Sequence, residues 1–242
     1  MIWSALSHDR SLSVEDVLRQ YGRYHWGAKT EELWLQILSG LEANWDGDLL
    51  TNANVYSVLQ AAQQVEASVT PAQLSKDWRL GMHLFRAYQD AYTRDRFLAE
   101  QQQEQEALLA LAQAPHFGAD AALAAAQHVL ARNVSAGPNF ATLRKRVFEL
   151  AAVLNVSASQ PGQKEMGDTM IQHQNPFLGL HCLDVPLSNS VWLQKSIATI
   201  ATGGNDTAKL EAIAELVGWE DPGPGKLPLA GIWVAFFQEC QQ

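Results

Sequence analysis

The sequence predicts an all-α protein: an irregular helical bundle built on one long central helix, with a long irregular segment near residues 155–187. The main observation is that apolar residues recur three, four and seven positions apart from Ser75 to about Gln113, the pattern of one broad helical face. A helix of about 38 residues would be roughly 57 Å long. Shorter runs with the same periodicity lie on both sides of it, and 47% hydrophobic residues are sufficient for a core.

Three shorter helices are predicted before the long one. Ser13 and Asp16 have the spacing of a capping box, so a helix begins there, and Gly27 suits its C-terminal end. Thr30 can cap the second helix. A third helix is expected over residues 54–67, where valine, leucine and alanine recur on one face.

On the long helix, oppositely charged side chains lie four residues apart, as in Arg96 and Glu100, and each such pair is expected to stabilise the helix by a few tenths of a kcal/mol. The segment 100–106 is polar on all sides and is expected to project past the bundle or to fray. Further helices are predicted at 121–131, 140–154, 188–201 and 206–217.

Residues 1–220 are predicted to form one all-α helical domain, and residues 221–242 a Pro/Gly linker followed by an apolar C-terminal tail. Within the tail, residues 232–237 are apolar without alternation. Either a strand or a short buried helix fits that run.

The net charge of −9 disfavours nucleic acid and anionic membranes as partners, because an acidic surface repels phosphate groups. No apolar run reaches the roughly 18 residues that a membrane-spanning helix requires. No positive segment followed by an apolar stretch opens the chain, so a signal peptide is not expected. As it stands the chain is expected to be cytoplasmic, whereas a fragment of a larger secreted protein would be exported.

No cofactor and no metal ion are predicted. Phosphate-binding glycine loops and nucleophile motifs are missing from the sequence. His173, His181, Cys182 and Asp184 have suitable ligand chemistry, but their spacing matches no established zinc pattern. Scattered surface or capping residues are the better interpretation.

A short acidic turn is the first candidate for ligand binding. Glu42, Asp46 and Asp48 surround Trp45, and sugar sites combine carboxylates with an apolar surface. Trp45 and Asp46 are therefore candidate substrate-binding residues. The alternative is an acidic turn whose tryptophan folds back onto the helical hairpin.

The segment that begins at Asp184 is the second candidate. In the structural interpretation, Pro186 forces an extended approach, Ser188 or Asn189 caps the next helix, and Trp192 anchors it. In the functional interpretation, Asp184 and Asn189 face a groove whose floor is Trp192. These three residues complete the set of candidate substrate-binding residues.

Four segments together resemble a known kind of protein. Tyr-Gly-Arg-Tyr-His-Trp-Gly at 21–27 resembles a helix end that follows the barrel in large bacterial glycoside-hydrolase-like proteins. The segments 40–47, 84–92 and 184–193 are similar to later parts of the same region, and the resemblance covers roughly residues 1–225. It implies a helical region that follows a catalytic domain, with the catalytic carboxylates elsewhere, so no catalytic residue is carried over.

Three functions remain open at this point. The first is a non-catalytic helical accessory module of a carbohydrate-active protein, with an adjacent catalytic domain or a carbohydrate as its partner. The second is a free-standing helical module for protein–protein interaction or self-association. The third is an enzyme whose site lies in the segment 173–192.

Overall fold

A computed structural model describes residues 2–9, 11–44, 46, 51–158, 180 and 183–218. These residues form eleven α-helices and no strand, which confirms the prediction of an all-α fold. The helices are α1 (Ile2–His8), α2 (Val14–Trp26), α3 (Glu31–Ala43), α4 (Asn54–Ser68), α5 (Pro71–Leu74), α6 (Trp78–Ala112), α7 (Ala114–Phe117), α8 (Ala119–Leu130), α9 (Pro138–Ala158), α10 (Ser190–Thr202) and α11 (Asp206–Val217).

The predicted long helix is present as the 35 residues of α6, and it is continuous. It begins at Trp78 because Asp77 caps it: Asp77 Oδ1 accepts the backbone N–H groups of Arg79 and Leu80. Within the described residues, no helix is both long and apolar enough to cross a membrane.

The chain separates into two compact units. The first comprises Met1–Asp95 and Pro138–Leu178, and the second comprises Arg96–Gly137 and Gly179–Gln242. Helix α6 therefore contributes residues to both units. The prediction of one domain over residues 1–220 and a separate tail stays a prediction, and residues 219–242 lie outside the described part of the chain.

In the first unit, α2 packs on α3 and α3 packs on α4. Gly40 permits the close approach of α3 and α4, because a Cβ atom there would lie 2.3 Å from Cγ2 of Val58. Gly22 does the same for α2 and α3, where a Cβ atom would lie 2.8 Å from Cβ of Trp34. Small residues at both crossings let the larger apolar side chains fill the core.

The helix boundaries confirm some sequence signals and correct others. The capping box of Ser13 and Asp16 is present, and Gly27 ends α2 with a φ of 94°. The prediction that Thr30 caps α3 is wrong, because its hydroxyl donates to the carbonyl groups of Trp26 and Gly27 instead. A 3₁₀ turn at Ala28–Thr30 leads into α3.

In the second unit, α8 packs against α7, α10 and α11. The end of α6 completes this core, whose buried members include Leu111, Leu123, Leu193, Ile197 and Ile213. The predicted helix 206–217 is confirmed as α11, whereas α10 begins two residues later than predicted. The predicted irregular segment also begins later than position 155, since α9 continues to Ala158, and residues 159–179 lie outside the description.

Candidate functional site

The segment that leads into α10 is held by side chains from the second half of α6. The guanidinium group of Arg96 donates hydrogen bonds to the backbone carbonyl groups of Leu183 and Val185. The Arg96 Nε atom also donates to Glu100 Oε1 at 2.6 Å. One arginine therefore fixes the start of the segment and orients the carboxylate that holds its end.

Two carboxylates then receive the backbone N–H groups at the start of α10. Glu100 Oε2 accepts from the N–H groups of Leu187 at 2.6 Å and Ser188 at 3.1 Å. Glu104 accepts the N–H of Asn189 at 3.0 Å and its side-chain amide at 3.2 Å. Because the N-terminus of a helix carries partial positive charge, two anions at this position stabilise α10. We name Arg96, Glu100 and Glu104 the loop clamp.

Two of the three members of the loop clamp are buried, and Glu104 is partly exposed. The side chains of Arg96 and Glu100 are only 3% and 4% exposed. Charges taken out of water need an opposite charge and additional hydrogen bonds to offset the lost hydration. The carbonyl and N–H groups of the 183–188 backbone supply those bonds, so the segment and the ion pair each depend on the other.

The same stretch of α6 also satisfies the C-terminal end of α8. Gln103 Nε2 donates to the carbonyl groups of Val129 and Arg132, both at 2.8 Å. From α10, Gln194 Nε2 donates to the carbonyl of Leu130 at 3.0 Å. The last carbonyl groups of a helix have no partner within the helix, and these amides provide one.

The prediction that residues 100–106 project or fray is therefore wrong. Glu100 and Gln103 are buried because the ends of α8 and α10 present polar backbone groups to this face of α6. The predicted ion pair of Arg96 and Glu100 is present, and it is buried. The polar face of α6 forms hydrogen bonds with the ends of α8 and α10 instead of facing solvent.

Sequence reasoning recognised Asp184, Asn189 and Trp192 but missed the clamp that positions them. Asn189 occupies the N-cap position, yet its side chain makes no capping bond within α10 and contacts Glu104 instead. Ser188 Oγ accepts the N–H of Ser190 at 3.2 Å, so the predicted cap belongs to Ser188. Asp184 is exposed, and the Trp192 side chain is 41% exposed in the first turn of α10.

The sequence did contain a signal that this face of α6 is buried. Arg96, Glu100 and Gln103 continue the four-and-three spacing of the helix and lead directly to Ala107 and Leu111, which are buried in the core of the second unit. The helical spacing of the buried face of α6 therefore continues through this stretch, where the buried residues are polar instead of apolar.

The acidic turn lies in the first unit. Asp46 is exposed, its N–H donates to the carbonyl of Ala43 at 3.1 Å, and its own carbonyl accepts from Asn52 at 3.4 Å. Asn52 also donates to the carbonyl of Ala43 at 2.8 Å, which ties the two ends of the turn together. Trp45 lies outside the described residues, so sugar contact at this turn stays a prediction.

A buried polar network joins α3 and α4 to α6 beside that turn. Asp90 accepts from the Asn44 side chain at 2.9 Å and forms an ion pair with Arg86 at 2.7 Å. Asn54 donates to Asn44 at 2.8 Å. Burial raises the pKa of the Asp90 carboxyl group, and Arg86 and Asn44 oppose that rise. The bonds of Asn44 therefore join the end of α3 to α4 and α6, whereas the ion pair of Arg86 and Asp90 lies within α6.

An aromatic cluster lies near the start of α6. Trp26 stacks on Trp34 with ring centroids 3.6 Å apart and an interplanar angle of 19°, and His83 meets both indoles edge-on. Trp26 Nε1 donates to Asp77 Oδ2 at 2.7 Å. Desolvation lowers the pKa of His83 to about 4, although the charge of Asp77 acts in the opposite direction. The imidazole is therefore neutral at physiological pH.

Metal binding is not indicated within the described part of the chain, where no group of three histidine, cysteine or acidic side chains converges. Three of the four possible ligands considered from sequence, His173, His181 and Cys182, lie outside it. No known protein family, curated protein or solved structure matches this chain. Its function must therefore be inferred from its own residues.

Proposed function

We propose that this chain is a non-catalytic helical accessory module of a carbohydrate-active, glycoside-hydrolase-like protein. In that role it packs against an adjacent catalytic domain or presents substrate to it. The loop clamp is the observation that supports a non-catalytic role. Glu100 accepts the backbone N–H groups of Leu187 and Ser188 and the Nε–H of Arg96, and Glu104 accepts the backbone N–H and the side-chain amide of Asn189. Carboxylates used in this way hold the segment in place, which is a structural role.

A carbohydrate remains the ligand that we propose for the surface beyond the clamp. Asp184 and Trp192 both retain exposed surface, and recognition sites commonly combine an aromatic ring with a few placed polar groups. The side chain of Asn189 already binds Glu104, so it contributes less than the sequence suggested. In the first unit, Trp45 and Asp46 form the other proposed sugar contact.

A glycan array tests the carbohydrate proposal directly. We expect the intact chain to bind a glycan, and Trp192→Ala or Trp45→Ala to abolish that binding while the helical circular dichroism signal is unchanged. Phe148→Ala is a matched control, because Phe148 is 38% exposed on α9 and belongs to neither candidate site. Absence of binding at millimolar sugar would remove the carbohydrate ligand from the proposal.

The adjacent domain is tested separately. Sequencing upstream of the codon for Met1 shows whether the reading frame continues into a catalytic domain. If it does, co-purification of that domain with this chain is expected when the two are expressed as separate polypeptides. If the frame closes and no such domain is encoded nearby, the accessory role is rejected in favour of an independent module.

Self-association is the second candidate function, and one side chain favours it. Tyr24 on α2 is 84% exposed, although its ring contacts the imidazole of His25 at 5.0 Å between centroids. Tyrosine is enriched at the centres of protein interfaces. Sedimentation velocity over a concentration series would detect a dimer, and Tyr24→Ala would weaken it; a concentration-independent monomer excludes this function.

A further inference from the structure

A buried hydrogen-bond donor in the first unit has no partner in the part of the chain that the structure describes. The Trp34 side chain on α3 is 0% exposed, and its indole Nε1 atom makes no hydrogen bond there. Buried polar groups in folded proteins almost always bind another protein group or an ordered water, because a buried donor without a partner has lost its hydration and gained nothing. The Trp34 N–H is therefore expected to bind something.

The position of the Trp34 ring is fixed by its neighbours. A Cβ atom at Gly22 would lie 2.8 Å from Cβ of Trp34, so the backbone of α2 packs directly against the base of this side chain. The ring of Trp26 stacks on the Trp34 ring with centroids 3.6 Å apart. Trp26 is held in turn, because its Nε1 donates to Asp77 Oδ2 at 2.7 Å. The Trp34 N–H cannot be turned towards solvent without separating these groups.

His83 on α6 places an acceptor beside this donor. Its ring centroid lies 5.6 Å from that of Trp34, and the two rings meet at 64°. Because desolvation lowers the pKa of His83 to about 4, the imidazole is neutral at physiological pH. One of its two nitrogen atoms then carries no proton and can accept a hydrogen bond.

The separation of the two rings suits a bridge by one atom. Trp34 Nε1 makes no direct hydrogen bond to the imidazole. Two hydrogen bonds of about 2.9 Å that meet at one oxygen at a tetrahedral angle join nitrogen atoms about 4.7 Å apart. Nitrogen atoms on two rings whose centroids are 5.6 Å apart can lie at that distance.

The chemistry of the two groups selects water as the bridging molecule. The ligand must accept a hydrogen bond from an indole N–H and donate one to a neutral imidazole. A simple anion has no proton to donate, an ammonium ion has no lone pair with which to accept, and a metal ion does not bind a protonated indole nitrogen. Water does both, and buried waters typically have two to four such polar partners. His83 is partly exposed, which provides a route for its exchange with solvent.

We propose that one water molecule binds between Trp34 and His83, accepting the Nε1–H of the indole and donating to the unprotonated nitrogen of the imidazole. The water joins α3 to α6 within the first unit. The site depends only on these side chains, so it is independent of the function proposed above.

Nuclear magnetic resonance of the intact chain tests the site through two indole protons. A water that stays bound while the protein tumbles gives cross-peaks of opposite sign in NOE and ROE spectra, whereas chemical exchange gives the same sign in both. We expect the opposite-sign pattern between water and the Hε1 proton of Trp34. The Hε1 proton of Trp26 is the internal control and should lack it, because its N–H already binds Asp77. Absence of the pattern at Trp34 overturns the proposal.

A pair of histidine variants and a crystal structure complete the test. In His83→Phe the water keeps only one of its two partners, so the Trp34 cross-peak should be lost while the helical circular dichroism signal is unchanged. His25→Phe is the matched control, because His25 contacts the Trp26 ring on α2, and it should keep the cross-peak. A crystal structure of the parent should show a water oxygen within about 3.2 Å of both nitrogen atoms. A direct bond between the indole and the imidazole, or a cross-peak that survives in His83→Phe, overturns the bridge.

Discussion

Glu100 on α6 accepts the backbone N–H of Leu187 at 2.6 Å, across 87 positions of sequence. Arg96 holds the same carboxylate from one turn earlier and donates to the carbonyl of Leu183. The pair thus forms hydrogen bonds with backbone N–H and carbonyl groups of residues 183–188, which are not part of a helix. This arrangement makes Glu100 the residue whose loss should harm the second unit most.

We expect Glu100→Ala to lower the free energy of unfolding by about 3–5 kcal/mol, because it leaves Arg96 buried without its counter-charge. Urea unfolding followed by circular dichroism measures the change. Glu211→Ala on the exposed face of α11 is the control and should change stability by less than about 0.5 kcal/mol. The double variant Arg96→Met/Glu100→Leu removes both charges but leaves the backbone groups that they bind at residues 183–188 unpaired, so it is also expected to be destabilised. A Glu100→Ala protein as stable as the parent contradicts a structural role for the pair.

A smaller and more local loss is expected for Glu104→Ala. It removes the acceptor for the Asn189 N–H at the start of α10, an effect comparable to the loss of a helix cap, about 1 kcal/mol. Hydrogen exchange should quicken in the first turn of α10 and remain unchanged in α2. Equal acceleration in both helices would mean that Glu104 supports the whole chain instead of that one helix end.

The stability of the first unit should depend on pH through His83. Its pKa is lowered to about 4 in the folded protein, whereas an unperturbed histidine titrates near 6.5. Below pH 6.5 the unfolded chain therefore takes up the proton first, which favours unfolding. The loss of stability grows as the pH falls from about 6.5 to about 4 and amounts to at most about 3 kcal/mol.

His83→Phe tests this dependence, because it keeps an aromatic ring beside Trp26 and Trp34 and removes the titrating group. Denaturant unfolding at several values between pH 4 and pH 7 should give a flatter profile for this variant than for the parent. His128→Phe, on an exposed face of α8, should keep the parent profile. If the stability of the parent and of His83→Phe depended on pH in the same way, the pH dependence could not be assigned to His83.

Gly40→Ala should destabilise the crossing of α3 and α4 by about 1–3 kcal/mol, since the new methyl group would lie 2.3 Å from Cγ2 of Val58. Val58→Ala in the same protein should recover part of the loss by making room. Gly203→Ala is a matched control, because its nearest neighbour would be the Thr199 carbonyl oxygen at 3.5 Å, an ordinary contact. Thermal unfolding distinguishes the two, and equal midpoints for both variants would contradict the close approach.

Local rules predicted much of this fold. The capping box at Ser13 and Asp16 and the turn at Gly27 depend on residues close in sequence, and both are present. The prediction for Thr30 failed because a 3₁₀ turn precedes α3. In that turn the Thr30 hydroxyl donates to the carbonyl groups of Trp26 and Gly27 instead of capping the helix. The prediction for Glu100 failed because its polarity indicated a solvent-exposed position. Its partner, the N-terminus of α10, lies far away in sequence and reaches it only in the folded chain.

In the candidate site, too, local patterns could be predicted from the sequence and long-range contacts could not. Pro186 and Ser188 could be recognised as the approach and cap of a helix, because that pattern is contained in a few neighbouring residues. The dependence of Asn189 on Glu104 spans 85 positions and leaves no local pattern. Sequence reasoning therefore located the segment correctly and could not assign what holds it.

The parallel indoles of Trp26 and Trp34 give the first unit an optical label of its own. Indoles stacked at 3.6 Å couple their electronic transitions, and unless those transitions are parallel the coupling produces an exciton couplet in the circular dichroism spectrum. Because that couplet requires both rings to keep their mutual orientation, it disappears when α2 separates from α3. Its melting curve, compared with that of the overall helical signal, would reveal whether the two halves of the chain come apart in one step or in two.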